Sequence, residues 1–222
     1  AIALSFASCS KDSAEPNLTK SGLNPENFVS TDSLGKKTAL YTLTNANGME
    51  VCITNYGGRI VSIMVPDKDG KFVDVVLGFD SIADYRPEKN KSDFGAAIGR
   101  YANRIKDGKI VIDDDTIQLP KNDNDLHCLH GGTTGWQYQV YDVKEANDSS
   151  ITLVMNSPDG DNKFPGNVVA EVTYTLTSEN AIDIAYKATT DKPTYINMTN
   201  HSYFNLNGDP QQPITNCVLL VN

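Results

Sequence analysis

The sequence predicts an all-β protein, and three observations support this prediction. Short apolar runs follow one another at close spacing along most of the 222 residues. Asn, Gly, Asp and Pro separate these runs, and several runs alternate between apolar and polar positions, which is the period of a half-buried strand. Only one segment has a helical pattern. Many short strands at close spacing are typical of an antiparallel sandwich or barrel.

In the first half of the chain, the pattern predicts hairpins and one helix. The strands expected there cover residues 40–43, 50–54, 60–65 and 72–77. A turn over 67–70, with Pro66 before it and Asp69-Gly70 at its end, joins the last two strands. Residues 81–89 form the helical segment, and Pro87 shortens it.

The second half continues as strands. They are expected over residues 109–112, 116–119, 139–143, 151–154, 172–176, 182–186 and 194–198. Apolar residues alternate with Thr, Asp or Ala in the fifth and sixth of these. No repeat of fixed period and no linker follow residue 35, so one domain over 36–222 is the simplest interpretation.

Composition narrows the possible partners. Lys plus Arg number 19 and Asp plus Glu number 28, which gives a formal net charge of −9. Nucleic-acid phosphates select Lys and Arg, so a nucleic-acid partner is not expected. Neutral small molecules such as sugars remain possible partners. The four cysteines are widely spaced and include no Cys-x-x-Cys pair, so neither a disulfide framework nor a structural zinc site is expected.

The two ends of the chain carry separate signals. Residues 1–8 are an apolar run that ends in small residues before Cys9, like the tail of a bacterial lipoprotein signal, and a polar tether over 10–35 follows. We expect residues 1–35 to lie outside the fold and Cys9 to be acylated, which would place the protein at the bacterial cell envelope. The alternative is a frayed terminus with an incidental cysteine. Residues 217–222 are apolar and rich in β-formers, so we expect the chain to stop within a strand of an incomplete domain.

Three histidines are the candidate proton carriers, because the pKa of imidazole lies nearest neutrality. His130 precedes two glycines that allow a sharp turn. His201 lies in a dense polar stretch that must bond something, such as the hydroxyl groups of a sugar. The alternatives are a turn-capping histidine and a buried network that fixes a turn. A metal held by His127, Cys128 and His130 is conceivable, but no acidic cluster supplies further ligands.

The segment over residues 94–105 offers binding groups. Small residues there allow close backbone packing, and Asn103 and Arg104 then present donors suited to adjacent hydroxyl groups. Two solvated surface residues are the alternative. Gly95 and Gly99 do not have the spacing of a phosphate loop.

Together these segments resemble the aldose 1-epimerase, or galactose mutarotase, family over residues 36–222. The matching motifs, in chain order, are Asn55-Tyr56-Gly57-Gly58-Arg59-Ile60, Leu77-Gly78-Phe79-Asp80, Gly99-Arg100-Tyr101-Ala102-Asn103-Arg104-Ile105, Leu129-His130-Gly131-Gly132, Ser157-Pro158-Asp159-Gly160 with Phe164-Pro165-Gly166, and Asn200-His201-Ser202-Tyr203-Phe204-Asn205-Leu206.

The resemblance implies a large antiparallel β-sandwich of the galactose mutarotase-like supersandwich type, a monomer or weak dimer with a sugar cleft. It implies exchange of the α and β anomers of a hexose such as galactose or glucose, without metal or organic cofactor. By the same resemblance His201 is the general acid and His130 polarises the ring oxygen. Both would also bind the sugar, together with Asn103, Arg104, Ser202 and Tyr203.

One part of the family pattern has no counterpart here. The family's catalytic base is a Glu that follows the Asn-His-Ser-Tyr motif, and a ligand Asp lies there too, whereas only Asp209 follows that motif in this chain. We therefore expect a fragment of a complete enzyme, or a truncated gene product. Two other functions stay open. One is a non-catalytic carbohydrate-binding module on the same fold. The other is an epimerase of sugar phosphates, for which Arg59, Arg86 and Arg100 are the spare cations.

Overall fold

The computed structural model describes residues 17–221 and confirms the all-β class. These residues form sixteen strands, a single-turn α-helix and five short 3-10 helices. The strands, in chain order, are β1 Ser30–Thr31, β2 Lys37–Thr38, β3 Leu40–Thr44, β4 Glu50–Thr54, β5 Arg59–Pro66, β6 Phe72–Asp74, β7 Ala97–Ile98, β8 Arg104–Ile105, β9 Lys109–Ile112, β10 Asp115–Gln118, β11 Cys128–Leu129, β12 Asp142–Ala146, β13 Ser150–Ser157, β14 Val168–Leu176, β15 Ile182–Thr190 and β16 Thr199–Asn200. The helices are α1 Ile82–Tyr85 and the 3-10 turns Pro25–Phe28, Lys106–Gly108, Trp136–Tyr138, Asp161–Lys163 and Ile214–Asn216.

Two four-stranded antiparallel sheets form the body of the protein. One has the order β3-β4-β5-β6 and the other β12-β13-β14-β15, so each is a meander of consecutive strands. Short turns make this order possible. In the β3–β4 turn, Asn45 Oδ1 accepts the backbone N–H groups of Asn47 and Met49 at 3.1 and 3.0 Å. An Asn that bonds its own turn in this way sets the register of the hairpin.

The core lies between the two sheets. A single cluster of buried apolar side chains takes members from β4 and β5 on one side and from β13 and β14 on the other. Trp136 and Tyr141 fill the space beside them, at 1% and 0% exposure. The Tyr174 hydroxyl, from β14, donates to Gly58 O at 2.7 Å and ties the second sheet to the turn before β5. This shared core makes the fold a sandwich.

The segment before residue 36 differs from the expected tether. Leu23 is 6% exposed, and Phe28 is fully buried in a second apolar cluster. Asn24 begins the first 3-10 turn, because its Oδ1 accepts the N–H of Glu26 at 3.1 Å. The predicted tether is therefore too long, because Leu23 and Phe28 pack residues 17–35 against the domain. Cys9 and the rest of the predicted signal lie outside the described residues.

Three predicted elements are corrected. The helix expected over 81–89 is only α1, because the chain turns before Pro87. The strand expected over 139–143 begins at Asp142, since Tyr141 points into the core and its hydroxyl donates to Ala97 O at 3.0 Å. Residues 194–198 form only an isolated bridge at Asn197.

The apolar end of the chain also differs from its prediction. Residues 217–221 are not in a strand, and Val218 to Val221 are between 95% and 78% exposed. Within residues 17–221, no helix is long and apolar enough to cross a membrane.

Candidate active site

Three separate segments of the chain meet in one open cleft. The cleft has a volume of about 530 Å³ and is lined by Ala102, Asn103, His130 and residues 197–203. This size lies within the range of small-molecule sites in proteins. Five of the six predicted sugar ligands thus line one cleft, namely Asn103, His130, His201, Ser202 and Tyr203, and only Arg104 is not on the lining.

His130 is positioned by a short ladder. Strand β8 pairs with β11, which brings the residue before β8, Asn103, beside the residue after β11, His130. The two exchange hydrogen bonds: His130 N–H donates to Asn103 O at 3.1 Å, and Asn103 N–H donates to His130 Nδ1 at 3.0 Å. Both have left-handed backbone, with φ values of 66° and 51°.

The second of these bonds determines the protonation of the ring. A nitrogen that accepts an N–H carries no proton, so neutral His130 bears its hydrogen on Nε2. Burial lowers the pKa of His130, and the nearby charges of His201 and Arg104 lower it further, while Asp93 acts in the opposite direction. His130 is therefore a neutral donor at neutral pH.

His201 is fixed by its backbone and by ring contacts. His201 N–H donates to Ala96 O at 2.8 Å, and Gly95 N–H donates to His201 O at 3.1 Å, which extends the pairing of β16 with β7. Its ring meets that of His130 edge-on, with centroids 4.9 Å apart. On its other side the Tyr203 ring lies at 5.2 Å.

Two glycines are required for this close approach. A β-carbon on Gly95 would lie 1.8 Å from Ile60 O, and one on Gly131 would lie 2.1 Å from Gly99 O. Both glycines have positive φ, at 69° and 80°. Only glycine combines that backbone conformation with the space available.

The remaining predicted ligands occupy different positions. Arg104 lies beside the cleft rather than on its lining, and its Nε donates to Asp123 Oδ2 at 2.7 Å. Ser202 is on the lining, but its Oγ is enclosed by the protein and has no hydrogen-bond partner among the described residues. Tyr203 is 47% exposed, and its ring contacts Phe94 with centroids 5.0 Å apart.

Sequence reasoning missed Asp93. Ligand atoms of Asp93, His130 and His201 all lie within 4.8 Å of one another. Two histidines and a carboxylate are a donor set that suits several transition metals. A metal-bound histidine normally donates its second ring N–H, however, and Asn103 N–H points at His130 Nδ1, which opposes that arrangement.

His127 and Cys128 do not join this cluster. His127 Nδ1 accepts the N–H of Asp107 at 3.2 Å. Cys128 is buried in an apolar cluster with Phe164, and burial raises the pKa of its thiol to about 11. His127, Cys128 and His130, which the sequence offers as a possible metal site, thus have separate surroundings.

The spare arginines do not serve the cleft. Arg59 is fully buried, and its Nη atoms donate to the carbonyl oxygens of Phe94 and Gln137 at 2.9 and 2.7 Å. Arg100 is 2% exposed and donates to four acceptors at the end of β13 and in the loop that follows it. Arg86 donates to Ser30 Oγ on the surface. The cations proposed for a sugar phosphate therefore perform structural roles.

A sandwich fold with a histidine-lined polar cleft is an arrangement suited to proton transfer on a small polar molecule. The family model described as aldose 1-epimerase matches residues 39–221, and the chain belongs to that family. It is 39% identical over 175 residues to the aldose 1-epimerase of Escherichia coli and 38% identical over 160 residues to the galactose mutarotase of Mus musculus. These alignments cover 79% and 72% of this chain.

Solved structures show the same relationship. The galactose 1-epimerase of Lactobacillus acidophilus matches with a TM-score of 0.69 and 32% identity, over 80% of this chain and 52% of that one. The two sequence alignments cover 50% and 45% of the relatives. The chain therefore spans about half the length of the curated relatives it matches.

Proposed function

We propose that the protein interconverts the α and β anomers of a hexose such as galactose or glucose. The adjacent rings of His130 and His201, which meet edge-on in an open polar cleft, carry this proposal. Anomer exchange opens the sugar ring at the bond between C1 and the ring oxygen, and then closes it on the other face of C1. An acid must protonate the ring oxygen while a base removes the proton of the C1 hydroxyl group.

The two histidines have distinct parts in this scheme. His201 is the general acid that gives its proton to the ring oxygen. Neutral His130 donates from Nε2 to an oxygen of the sugar and polarises it, because Asn103 N–H keeps Nδ1 unprotonated. Each proton transfer of this type accelerates a reaction by about 10²–10⁴-fold. The Asn103 amide and the Tyr203 hydroxyl are further hydrogen-bonding groups for the sugar. Arg104 would bind the sugar only after its ion pair with Asp123 breaks.

A sugar-binding role without catalysis is the second candidate. Among the described residues that line the cleft, none has a carboxylate that could act as the base. That observation favours the binding function.

Polarimetry of freshly dissolved α-galactose tests the proposal in the full-length protein. His201→Asn should reduce the rate of anomer exchange at least about 100-fold while sugar binding remains. His127→Asn is the matched control, because His127 lies outside the cleft, and its rate should stay unchanged. Equal rates for the His201 variant and the unsubstituted protein would refute the acid role. Sugar binding without any exchange in the unsubstituted protein would favour the binding module.

We also propose that Cys9 anchors the protein at the bacterial cell envelope, on the strength of the apolar run that precedes it. Labelling with a fatty-acid analogue in a bacterial host should mark the unsubstituted protein and not Cys9→Ala. A monomer or weak dimer is the corresponding proposal for the oligomeric state, and light scattering measures it.

A further inference from the structure

Asp93 is a carboxylate placed beside both cleft histidines. One of its oxygens lies within 4.8 Å of a ring nitrogen of His130 and of His201. A distance of this size is spanned by one bridging water, and it leaves two opposite charges strongly attracted.

The position of Asp93 is fixed by its neighbours. Buried Arg59 donates to the carbonyl oxygens of Ser92 and Phe94, the residues on either side, at 3.3 and 2.9 Å. The Tyr138 hydroxyl donates to Asp93 Oδ1 at 3.4 Å. Burial raises the pKa of Tyr138 to about 12, so this hydroxyl stays protonated and remains a donor.

The two histidines compete for one proton. Their rings are 4.9 Å apart, so a charge on one disfavours a charge on the other. Asn103 N–H occupies Nδ1 of His130 and keeps that ring neutral. The ring nitrogens of His201 accept no hydrogen bond from the described residues, and a carboxylate oxygen of Asp93 lies within 4.8 Å of one of them.

We propose that Asp93 is a positioning residue of this cleft: its carboxylate holds the proton of the histidine pair on His201 and orients the two rings. The inference deepens the proposed function, since a charged His201 is the form that can act as the acid. The charged side chains that act on His130 are Asp93 and Arg104, and Arg59 lies next to Asp93 through its bonds to Ser92 O and Phe94 O. Arg104 is paired with Asp123, and Arg59 is bound to backbone carbonyl groups, which leaves Asp93 as the unpaired charge nearest the rings among the described residues.

The test is an NMR titration of the three histidines in the 222-residue chain, with Asp93→Asn compared with the unsubstituted protein. Two unit charges about 5 Å apart in a water-like medium shift a pKa by about 0.6 unit, and by more in a less polar medium. We expect the pKa of His201 to fall by at least that amount in Asp93→Asn, and Asp93→Glu to restore most of it. His127 is the internal reference and should not move.

Matched controls keep the test decisive. Asp114→Asn removes an exposed carboxylate in the turn between β9 and β10, and should leave His201 unchanged. Asp93→Ala is a second neutral variant, and it must shift the pKa of His201 in the same direction. It replaces Asp93→Asn in the test if that variant does not fold. An unchanged His201 titration in a folded neutral variant would overturn the proposal, as would equal shifts of His127 and His201.

Activity gives a separate readout in the full-length protein. In Asp93→Asn, the high-pH limb of the anomer-exchange rate should move to lower pH, because the acid loses its proton sooner. A uniform reduction at every pH would contradict the positioning role. If the unsubstituted protein exchanges no anomers at all, the proposed function fails, while the titration of His201 still decides the role of Asp93.

Discussion

Arg100 offers the sharpest test of how this fold supports its cleft. The guanidinium group donates to Ser157 Oγ, Ser157 O, Pro158 O and Pro165 O at 3.0, 3.1, 2.7 and 2.8 Å. It thereby fastens the end of β13 and the loop that joins β13 to β14 to the glycine-rich segment that leads into Asn103. Arg100→Met keeps the apolar stem and removes every donor.

The magnitude follows from the number of acceptors left behind. Hydrogen bonds to a charged group contribute about 1.5–3 kcal/mol each, and three backbone carbonyl groups lose theirs. Taking the lower figure for each gives a loss of about 4.5 kcal/mol in the free energy of unfolding. The free energy of unfolding of a small domain is about 5–15 kcal/mol in all, so this variant should be barely folded. Arg100→Lys keeps the charge without the planar fork and should lose about half as much.

Urea unfolding followed by fluorescence is the assay. Trp136 is the only tryptophan, is 1% exposed and donates its backbone N–H to Gly99 O at 3.2 Å, so it reports on the same segment. Arg86→Met is the control, because Arg86 is exposed and has a single side-chain bond, to Ser30. An Arg100→Met protein within about 1 kcal/mol of the unsubstituted one would refute the reasoning.

Three further predictions concern other parts of the structure. Gly131→Ala should destabilise the protein by about 2–4 kcal/mol, since it adds positive-φ strain to a clash with Gly99, and an unchanged melting temperature would contradict this. Phe28→Ala should lower the free energy of unfolding by about 3 kcal/mol through the cavity it leaves, whereas a true tether residue would have no effect on chemical denaturation. Burial raises the pKa of Cys52 and of Cys128 to about 12 and 11. Brief alkylation of the native protein followed by mass spectrometry should therefore label exposed Cys217 and spare both, and labelling of either buried thiol would count against the structure.

Much of the sheet structure could be predicted from local pattern. The sequence predicts strands over residues 50–54 and 109–112 with the same bounds as in the structure. A short apolar run between turn residues is typical of a strand. Residues 139–143 were misplaced because Val140 and Tyr141 are apolar for a different reason: they pack into the core from a loop.

The site was only partly predictable. His130 and His201 were identified from residue type and motif, and the structure brings them together. The bond from Asn103 N–H to His130 Nδ1 depends on two left-handed residues that face each other across β8 and β11, and local sequence does not indicate that pairing. Asp93 stands among Lys, Ser and Phe without a motif, so only its spatial proximity to the histidines makes it noticeable. Arg100 was a possible cation for a sugar phosphate, and its burial and hydrogen bonds show it to be structural.

The pairing of β7 with β16 has a consequence for how the protein folds. Ala97 lies opposite Asn200 and Ile98 opposite Thr199, so the cleft closes a loop of about a hundred residues, and such distant contacts form slowly because the chain must first lose the entropy of that loop. The hairpins on either side can form earlier from neighbouring residues. We therefore expect the two histidines to meet late in folding, after the local hairpins have formed.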